Sequence, residues 1–419
     1  MLLDRLLNRL LNGLIKTGSL TIIDAAGKSK SFEGSKDGPS ITMRIHDKAV
    51  QRRLSFNPSL TLGEAFVDGQ ITVENGDIYD LLEVITLNLG QGDDQPAIQR
   101  WLDALRKAKR RLTQYNPIGR ARKNVAHHYD LSDTLYAMFL DNDRQYSCAY
   151  YMSETDNLER AQDNKKRHIA AKLLLEPGHK VLDIGSGWGG LALYLAQTSG
   201  ADVTGITLST EQQKIAQGRA AEAGLSDRVR FRLQDYRDET RKYDRIVSVG
   251  MFEHVGIGHY REFFEKIRDL LTDDGVALLH TIGRAAGPAS TNPWIAKYIF
   301  PGGYNPAMSE IIPFIEPTGM FITDIEVLRL HYAKTLRDWR RRFNANRDKV
   351  REFYDERFCR MWEYYLAGAE TAFRYTGQVN FQIQLAKRQD TVPLTRDYIA
   401  DWEAAHAGGA AAAAKSYPR

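Results

Sequence analysis

The sequence predicts an α/β protein: a doubly wound, mainly parallel sheet covered by helices, preceded by a small α+β domain. Three observations predict it. From Lys180 onward, short apolar runs alternate regularly with helical stretches. The first of those runs leads into a glycine-rich loop that opens a helix. Residues 19–75 lack this rhythm and instead show short β-like runs between turn-rich pieces. Strand–helix alternation implies parallel strands joined by right-handed crossovers, with helices on both faces of the sheet.

The chain opens on MLLDRLLNRLLNGLIK, where Leu2, Leu3, Leu6, Leu7, Leu10, Leu11, Leu14 and Ile15 form one apolar helical stripe. At 1.5 Å per residue this segment reaches about 24 Å, short of the roughly 30 Å apolar core of a bilayer. It suits a membrane surface, its own domain or a second subunit. SLTIID, ITMRIH and ITVEN follow as strands, separated by AAGKSKS and GSKDGPS. The helix IYDLLEVITLN and the polar GQGDDQP close this region, and a basic helix runs from about Pro96 to Thr113. Then KVLDIGSG, DVTGITLS, RVRFRLQD, YDRIVSVG and GVALLHTI read as strands. The helices between them are GLALYLAQTSG, TEQQKIAQGRAAEAG and YREFFEKIRDLL. The final GGAAAAAKSYPR reads as a disordered tail.

At 419 residues, with 43% hydrophobic and 26% charged residues, the composition is that of an ordinary globular protein. No apolar run is long enough to span a membrane, and the charged N-terminus lacks a secretory pattern. Cys148 and Cys359 form neither a CxxC pair nor a disulfide framework, which points to a reduced cytoplasmic setting and no metal. The net charge of +4 is unevenly spread. Arg106, Lys107, Lys109, Arg110, Arg111, Arg120 and Arg122 cluster between Arg100 and Lys123, and Arg337, Arg340, Arg341 and Arg342 surround Trp339. Such clusters suit an anionic surface, or are simply solvated helix faces. No nucleic-acid motif accompanies them.

The glycine loop runs Asp183-Ile184-Gly185-Ser186-Gly187-Trp188-Gly189-Gly190. Dinucleotide folds use a similar loop, so the pattern alone is ambiguous. Its surroundings favour S-adenosylmethionine. Asp183 precedes the first glycine, where it would repel a pyrophosphate but suit a ligand with an amino-acid end. The second strand ends in Thr207-Leu208-Ser209, without the acidic residue of NAD sites. After the third strand, Asp235-Tyr236 can bind an adenine amino group and stack on its ring.

The segments His127-His128-Tyr129-Asp130-Leu131, FLDNDRQYSCAYY, VLDIGSGWGGLALYLA, VTGITLSTEQ, DRIVSVGMFEHVG, LLHTIG and YIFPGGYNP stand in this order along the chain. In order and spacing they resemble the cyclopropane-fatty-acyl-phospholipid synthases and their mycolic-acid cyclopropane synthase relatives, over roughly residues 60–400. The resemblance implies a seven-stranded, Rossmann-like S-adenosylmethionine-dependent methyltransferase sheet. It places cofactor contacts on Tyr146, Ser147, Gly185, Gly187, Thr207, Leu208, Gln212 and Tyr236, to which the loop adds Asp183 and Gly189, and the end of the third strand Asp235. It places a bicarbonate site on Cys148, Glu253, His280, Ile282 and Tyr332, with Cys148 and Ile282 contributing backbone groups. Read from the residues alone, Cys148 is a small buried hydrophobe, Glu253 a helix cap, His280 a core residue and Tyr332 a core or surface residue. One departure stands out: Ala369 occupies a position where many family members carry a cysteine.

The implied organisation is a lipid- or membrane-associated α+β domain over 1–95, a basic helical linker over 96–123, a methyltransferase domain over 124–405 and a tail over 406–419. The implied reaction transfers a methylene to the cis double bond of an unsaturated phospholipid acyl chain, closing a cyclopropane ring. The enzyme would work in the cytoplasm, bound peripherally to the inner face of the membrane, with a homodimer expected. The alternatives are a methyl- or methylene-branched product, a small soluble acceptor, or a non-catalytic lipid-binding protein. The last would be expected to lose Asp183, the glycines, Glu253 or His280, yet all are present.

Overall fold

Alternation of apolar residues with period two builds the first sheet of this protein, and strands buried on both faces build the second. The computed structural model describes residues 11–89 and 133–407. Most of the leucine stripe, the basic segment from Arg100 to Lys123, the His127–Leu131 motif and the tail from 408 lie outside the described residues.

The first sheet has the order β2-β1-β3-β4, with β1 Thr17–Ile23, β2 Ser29–Glu33, β3 Lys36–Ile45 and β4 Ile71–Val73. β1 pairs antiparallel with β2 and parallel with β3, and β3 pairs antiparallel with β4. Leu20 and Ile22 of β1 and Ile41, Met43 and Ile45 of β3 are buried in alternation with more exposed neighbours. The β1–β2 turn is held by Asp24, whose Oδ1 accepts from the amides of Ala26 and Lys28, with Gly27 at φ +79.

This sheet belongs to a compact unit that comprises the described residues up to 89 together with Ala289–Pro301 and Ala333–Gln378. The expected N-terminal region is thus joined by two later stretches of chain. Within the unit the long helix Glu356–Tyr375 buries Trp362, Tyr365 and Leu366. Trp294 packs edge-on to Tyr364 at 4.6 Å, in the space left by Gly63. Ala369 lies half-buried on the same helix. The arginine cluster is structural in part: Trp339 is fully buried, and Arg340 binds Glu370 at 2.9 Å and lies 4.1 Å over the Tyr79 ring. Arg340 is therefore an internal ion-pair partner rather than part of a solvated patch.

The second unit contains the described residues from 133 to Pro288, Gly302–Tyr332 and Val379 onward. Its seven strands have the order β10-β11-β9-β8-β5-β6-β7. They are β5 Lys180–Ile184, β6 Asp202–Thr207, β7 Val229–Leu233, β8 Tyr243–Val249, β9 Leu271–Arg284, β10 Phe321–Val327 and β11 Gln378–Ala386. β5 to β9 run parallel, while β10 pairs antiparallel with β11. This is the doubly wound, mainly parallel sheet that the sequence predicts.

The pleat divides the strand residues between two cores. Leu182, Ile184, Ile206, Ile246, Ala277 and Leu279 join a cluster with Phe252, Phe263 and Phe264. Val181, Val203, Val247 and Leu278 join the opposite cluster with Leu191, Leu195 and Phe231. β5 lies between β6 and β8, so the winding reverses there, and the crevice beyond the strand ends at such a point is where these sheets bind ligands.

Candidate active site

At that crevice lies an open cavity. β5 delivers Asp183 to it, and the chain then turns through Gly185 and Gly187 at φ +85 and +53. A Cβ on Gly187 would meet nothing within 4 Å, so its left-handed conformation is the reason for glycine there. The amides of Gly185 and Ser186 both donate to Ile206 O, at 2.9 and 3.0 Å, tying the loop to β6.

Ten of the eleven expected cofactor residues line this cavity: Tyr146, Ser147, Asp183, Gly185, Gly187, Thr207, Leu208, Gln212, Asp235 and Tyr236. Gly189 is the exception. It caps the helix Gly190–Ser199 with φ +85, and a Cβ there would meet Phe231 at 2.6 Å and Ala216 at 3.0 Å. Its role in this structure is packing.

Asp235 also differs in detail from expectation. Its carboxylate is engaged twice by Arg237, at 2.8 Å from both Nε and Nη2. Tyr236 packs edge-on to Phe263 at 5.4 Å, and burial pushes its phenol up. At the end of β6, Thr207 Oγ1 donates to Gln212 Oε1 at 3.0 Å, which fixes the orientation of that amide.

The electrostatics of the cavity centre on Asp183. It is 2% exposed, its Oδ2 has no hydrogen-bond partner among the described residues, and burial pushes it up to about 7 against the pull of the Lys165 charge. A buried carboxylate oxygen without a donor fits a cationic ligand group, such as the α-ammonium of S-adenosylmethionine.

The segment 141–147 closes another side. Asp141 accepts from the amides of Asp143 and Gln145, and Arg144 adopts φ +56. Desolvation opposes the ionisation of the half-buried Asp143, but Lys166 and Arg219 hold it well below the usual carboxylate range. A Cβ on Gly190 would lie 2.4 Å from Asp143, so this segment and the glycine loop are in close contact.

The expected bicarbonate residues lie at the ends of β8 and β9 and beyond. Glu253 sits in the turn after β8; its Oε1 accepts from the Ile282 amide at 2.6 Å, while Oε2 is buried without a partner among the described residues. Burial pushes it up to about 7, the Ile282 N–H pulling the other way. His280 is paired with Val249 across β8 and β9, and burial, aided by Lys165 and Lys172, pushes it down to about 3. Its imidazole is therefore neutral.

Gln382 flanks His280 Nδ1 at 3.2 Å and Asn380 flanks Nε2 at 3.5 Å. A neutral ring has one N–H and one lone pair, so one amide must offer its oxygen and the other its NH₂. Cys148 is fully buried, with Sγ 3.4 Å from Ala149 O and its thiol pushed up by burial. Tyr332 is buried at the start of a helix whose first residue, His331, accepts from the Tyr151 amide at 3.0 Å and stacks on Tyr150 at 4.8 Å. The structure thus joins Glu253 and Ile282 by a direct bond and sets His280 on the neighbouring strand end.

Several residues here escaped the sequence reading. Arg144, Gln145, Trp188 and His254 line the cavity, and burial pushes His254 down to about 4. Asn380, Gln382 and Gln384 form a polar row at every second position of the buried strand β11. That alternation was a visible signal, because amides are rare on both-sides-buried strands.

A doubly wound seven-stranded sheet with this glycine turn and the buried carboxylate of Asp183 at the switch point is that of an S-adenosylmethionine-dependent methyltransferase. Comparison with known proteins narrows the class. The family described as mycolic acid cyclopropane synthetase matches residues 118–383, and a domain of unknown function matches residues 8–91. The cyclopropane-fatty-acyl-phospholipid synthase of Escherichia coli (strain K12) is 41% identical over 332 residues, 79% of this chain and 84% of that one. The tuberculostearic acid methyltransferase of Mycobacterium tuberculosis is 36% identical over 356 residues, 81% and 82% of the two chains. A solved cyclopropane synthase from Mycobacterium tuberculosis has TM-score 0.61 and 33% identity, covering 65% of this chain and 99% of its own. A mycolic acid cyclopropane synthase complexed with SAH has TM-score 0.60 and 32% identity over the same shares. The chain belongs to the mycolic acid cyclopropane synthetase family.

Proposed function

We propose that this enzyme transfers a methylene from S-adenosylmethionine to the cis double bond of unsaturated phospholipid acyl chains, forming a cyclopropane ring with bicarbonate as general base. The observation that carries the reading is Glu253: one oxygen held by the Ile282 amide, the other buried and unpartnered. Such an oxygen is an acceptor waiting for an O–H donor.

S-adenosylmethionine, when bound, supplies the electrophilic methyl group; Asp183, Ser147, Gln212 and the glycine turn would hold it. An alkene is a poor nucleophile, so the walls of the site must align it and exclude water. Methyl transfer leaves a carbocation on the acyl chain, which closes to the ring only when a proton leaves the new methyl group. Bicarbonate, when bound, supplies the base for that proton. Glu253 Oε2 would accept its O–H and orient it, Tyr332 would donate to its oxygens, and His280 would do so once bicarbonate displaces the amide that its single N–H meets here. Cys148 acts through its backbone, since burial keeps its thiol protonated.

Substrate chains reside in membranes, and none of the helices among the described residues is long and apolar enough to cross one. Peripheral attachment through the basic 100–123 segment supplies the docking in this reading, on the inner face of the membrane.

The test is product analysis. Purified protein is incubated with S-adenosylmethionine and unsaturated phospholipid vesicles, and the fatty-acid methyl esters are resolved by gas chromatography–mass spectrometry. A cyclopropane ester about 14 mass units above the parent supports the reading. The relative named for tuberculostearic acid methylation motivates a second reading, in which the same cation yields a methyl- or methylene-branched chain. Such a product would overturn ring closure and keep the cofactor and lipid.

A further inference from the structure

The helix Leu158–Lys172 carries three buried lysines, Lys165, Lys166 and Lys172. Two of them end on carboxylates: Lys166 on Asp143 at 2.6 Å and Asp163 at 3.0 Å, and Lys172 on Glu326 and, at 3.5 Å, Asp324. Lys165 does not. It is 0% exposed, and among the described residues its direct partners are Gln145 Oε1 at 2.6 Å and Ser147 Oγ at 2.8 Å, both neutral. A buried ammonium with no carboxylate bonded to it, and only the more distant charges of Asp141 and Asp143 to offset its desolvation, is costly, and an arriving anion would reduce that cost.

The direction of these bonds decides what the cavity presents. An ammonium group only donates, so Ser147 Oγ accepts, and the hydroxyl proton of Ser147 must point elsewhere. Ser147 lines the cavity. Its O–H is thereby presented to a ligand as a donor, polarised by the charge behind it. One turn earlier on the same helix, Gln162 Nε2 donates to the carbonyls of Gln145 and Ser147 at 3.1 and 3.0 Å. Gln162 and Lys165 thus hold the backbone and side chains on both sides of Tyr146.

On the other wall, Asp183 offers an unpartnered carboxylate oxygen. The cavity therefore presents an acceptor and a charged-backed donor, the complement of a zwitterionic α-amino acid.

We propose that Lys165 is the positioning residue for the carboxylate of the cofactor's amino-acid moiety, acting through the Ser147 hydroxyl, and so selects a ligand that carries that carboxylate. The inference rests on the cavity being the S-adenosylmethionine site. Burial draws the Lys165 ammonium down to about 8, with Asp141 and Asp143 opposing that pull and Lys166 adding to it. A ligand carboxylate one hydroxyl away would draw it back up.

Two ligands separate this role from a structural one. S-adenosylhomocysteine has the amino-acid end; 5′-methylthioadenosine keeps the nucleoside and thioether but lacks it. Binding of both to the full-length protein is measured by isothermal titration calorimetry. Lys165→Met and Ser147→Ala are each expected to weaken S-adenosylhomocysteine about tenfold to a hundredfold, the range for a charge-assisted hydrogen bond. Methylthioadenosine should stay within about twofold, and the double variant should be no weaker than Lys165→Met, because both act on one chain of bonds.

Equal losses for both ligands, or unchanged S-adenosylhomocysteine binding in a folded Lys165→Met protein, would overturn the proposal. Should Lys165→Met not fold, Ser147→Ala decides: unchanged binding there overturns it as well. Wild-type protein that binds neither ligand would instead remove the cofactor reading itself, and this proposal with it.

Discussion

Replacing Glu253 by glutamine should make this protein less active and more stable at once. The variant keeps an oxygen to accept from the Ile282 amide, now at 2.6 Å, but puts an NH₂ donor where the unpartnered Oε2 stands. A donor cannot receive the O–H of a bound bicarbonate. Losing a hydrogen bond to a charged acceptor costs about 1.5–3 kcal/mol, so kcat should fall about tenfold to a hundredfold. The cofactor KM should hardly move, because Glu253 is not among the residues lining the cofactor cavity.

Stability should move the other way. Burial raises Glu253 from its ordinary 4.5 to about 7. Below pH 4.5 the carboxyl is protonated in both folded and unfolded chains and costs nothing. Between there and about pH 7 the unfolded chain releases its proton first, so stability falls as pH rises. Above pH 7 the deficit is constant, at about 3 kcal/mol from 1.36 kcal/mol per pH unit. Glutamine carries no such deficit. Urea unfolding at pH 5 and pH 8 should therefore show the variant gaining far more on the wild type at pH 8 than at pH 5. Turnover is followed by methyl transfer from labelled cofactor to lipid vesicles. A variant with wild-type kcat, or one less stable than wild type at pH 8, would refute the reasoning.

Asp183→Asn removes the negative charge facing the cavity and should weaken S-adenosylhomocysteine at least about tenfold in calorimetry, with methylthioadenosine unaffected. Gly189→Ala combines a left-handed backbone with a 2.6 Å clash on Phe231 and should cost about 2–4 kcal/mol in denaturant unfolding. Gly218→Ala, on an exposed helix position with nothing within 4 Å, is the control and should stabilise by about 0.5–1 kcal/mol. Pelleting with anionic vesicles should be strong at low salt and lost at high salt, since each basic residue of the 100–123 segment adds about 1 kcal/mol near such a surface. Salt-independent pelleting would argue for apolar insertion instead.

The seven-stranded unit was legible because its information is local. Runs such as VLDI, VTGIT and RIVSV are apolar without alternation, as strands buried on both faces must be. The glycines at 185 and 187 announce a backbone conformation that other residues resist. Asp183 was legible for the same reason, being one residue from a turn whose geometry places it at the strand end.

Other features depended on packing between distant segments. The helix LERAQDNKKRHIAAK reads as a charged surface helix, yet the fold buries Gln162 and Lys165 under residues 145–147, and nothing in its own spacing says so. His280 meets its flanking amides a hundred residues later, on β11. Asp235, by sequence free for a ligand, has its carboxylate engaged by Arg237, and Arg340, by sequence part of a basic patch, is tied to Glu370. The compact unit around the first sheet takes in two stretches from beyond residue 288 that local patterns assign to the larger domain. The sequence by itself determined the type of sheet, its glycine turn and the chemical kinds of side chain available, because φ/ψ preference and apolar periodicity act within a few residues. Which charges lose their water, and which polar atoms face the cavity without a partner, was decided by the tertiary structure alone, because burial is a property of what the rest of the chain lays against a residue.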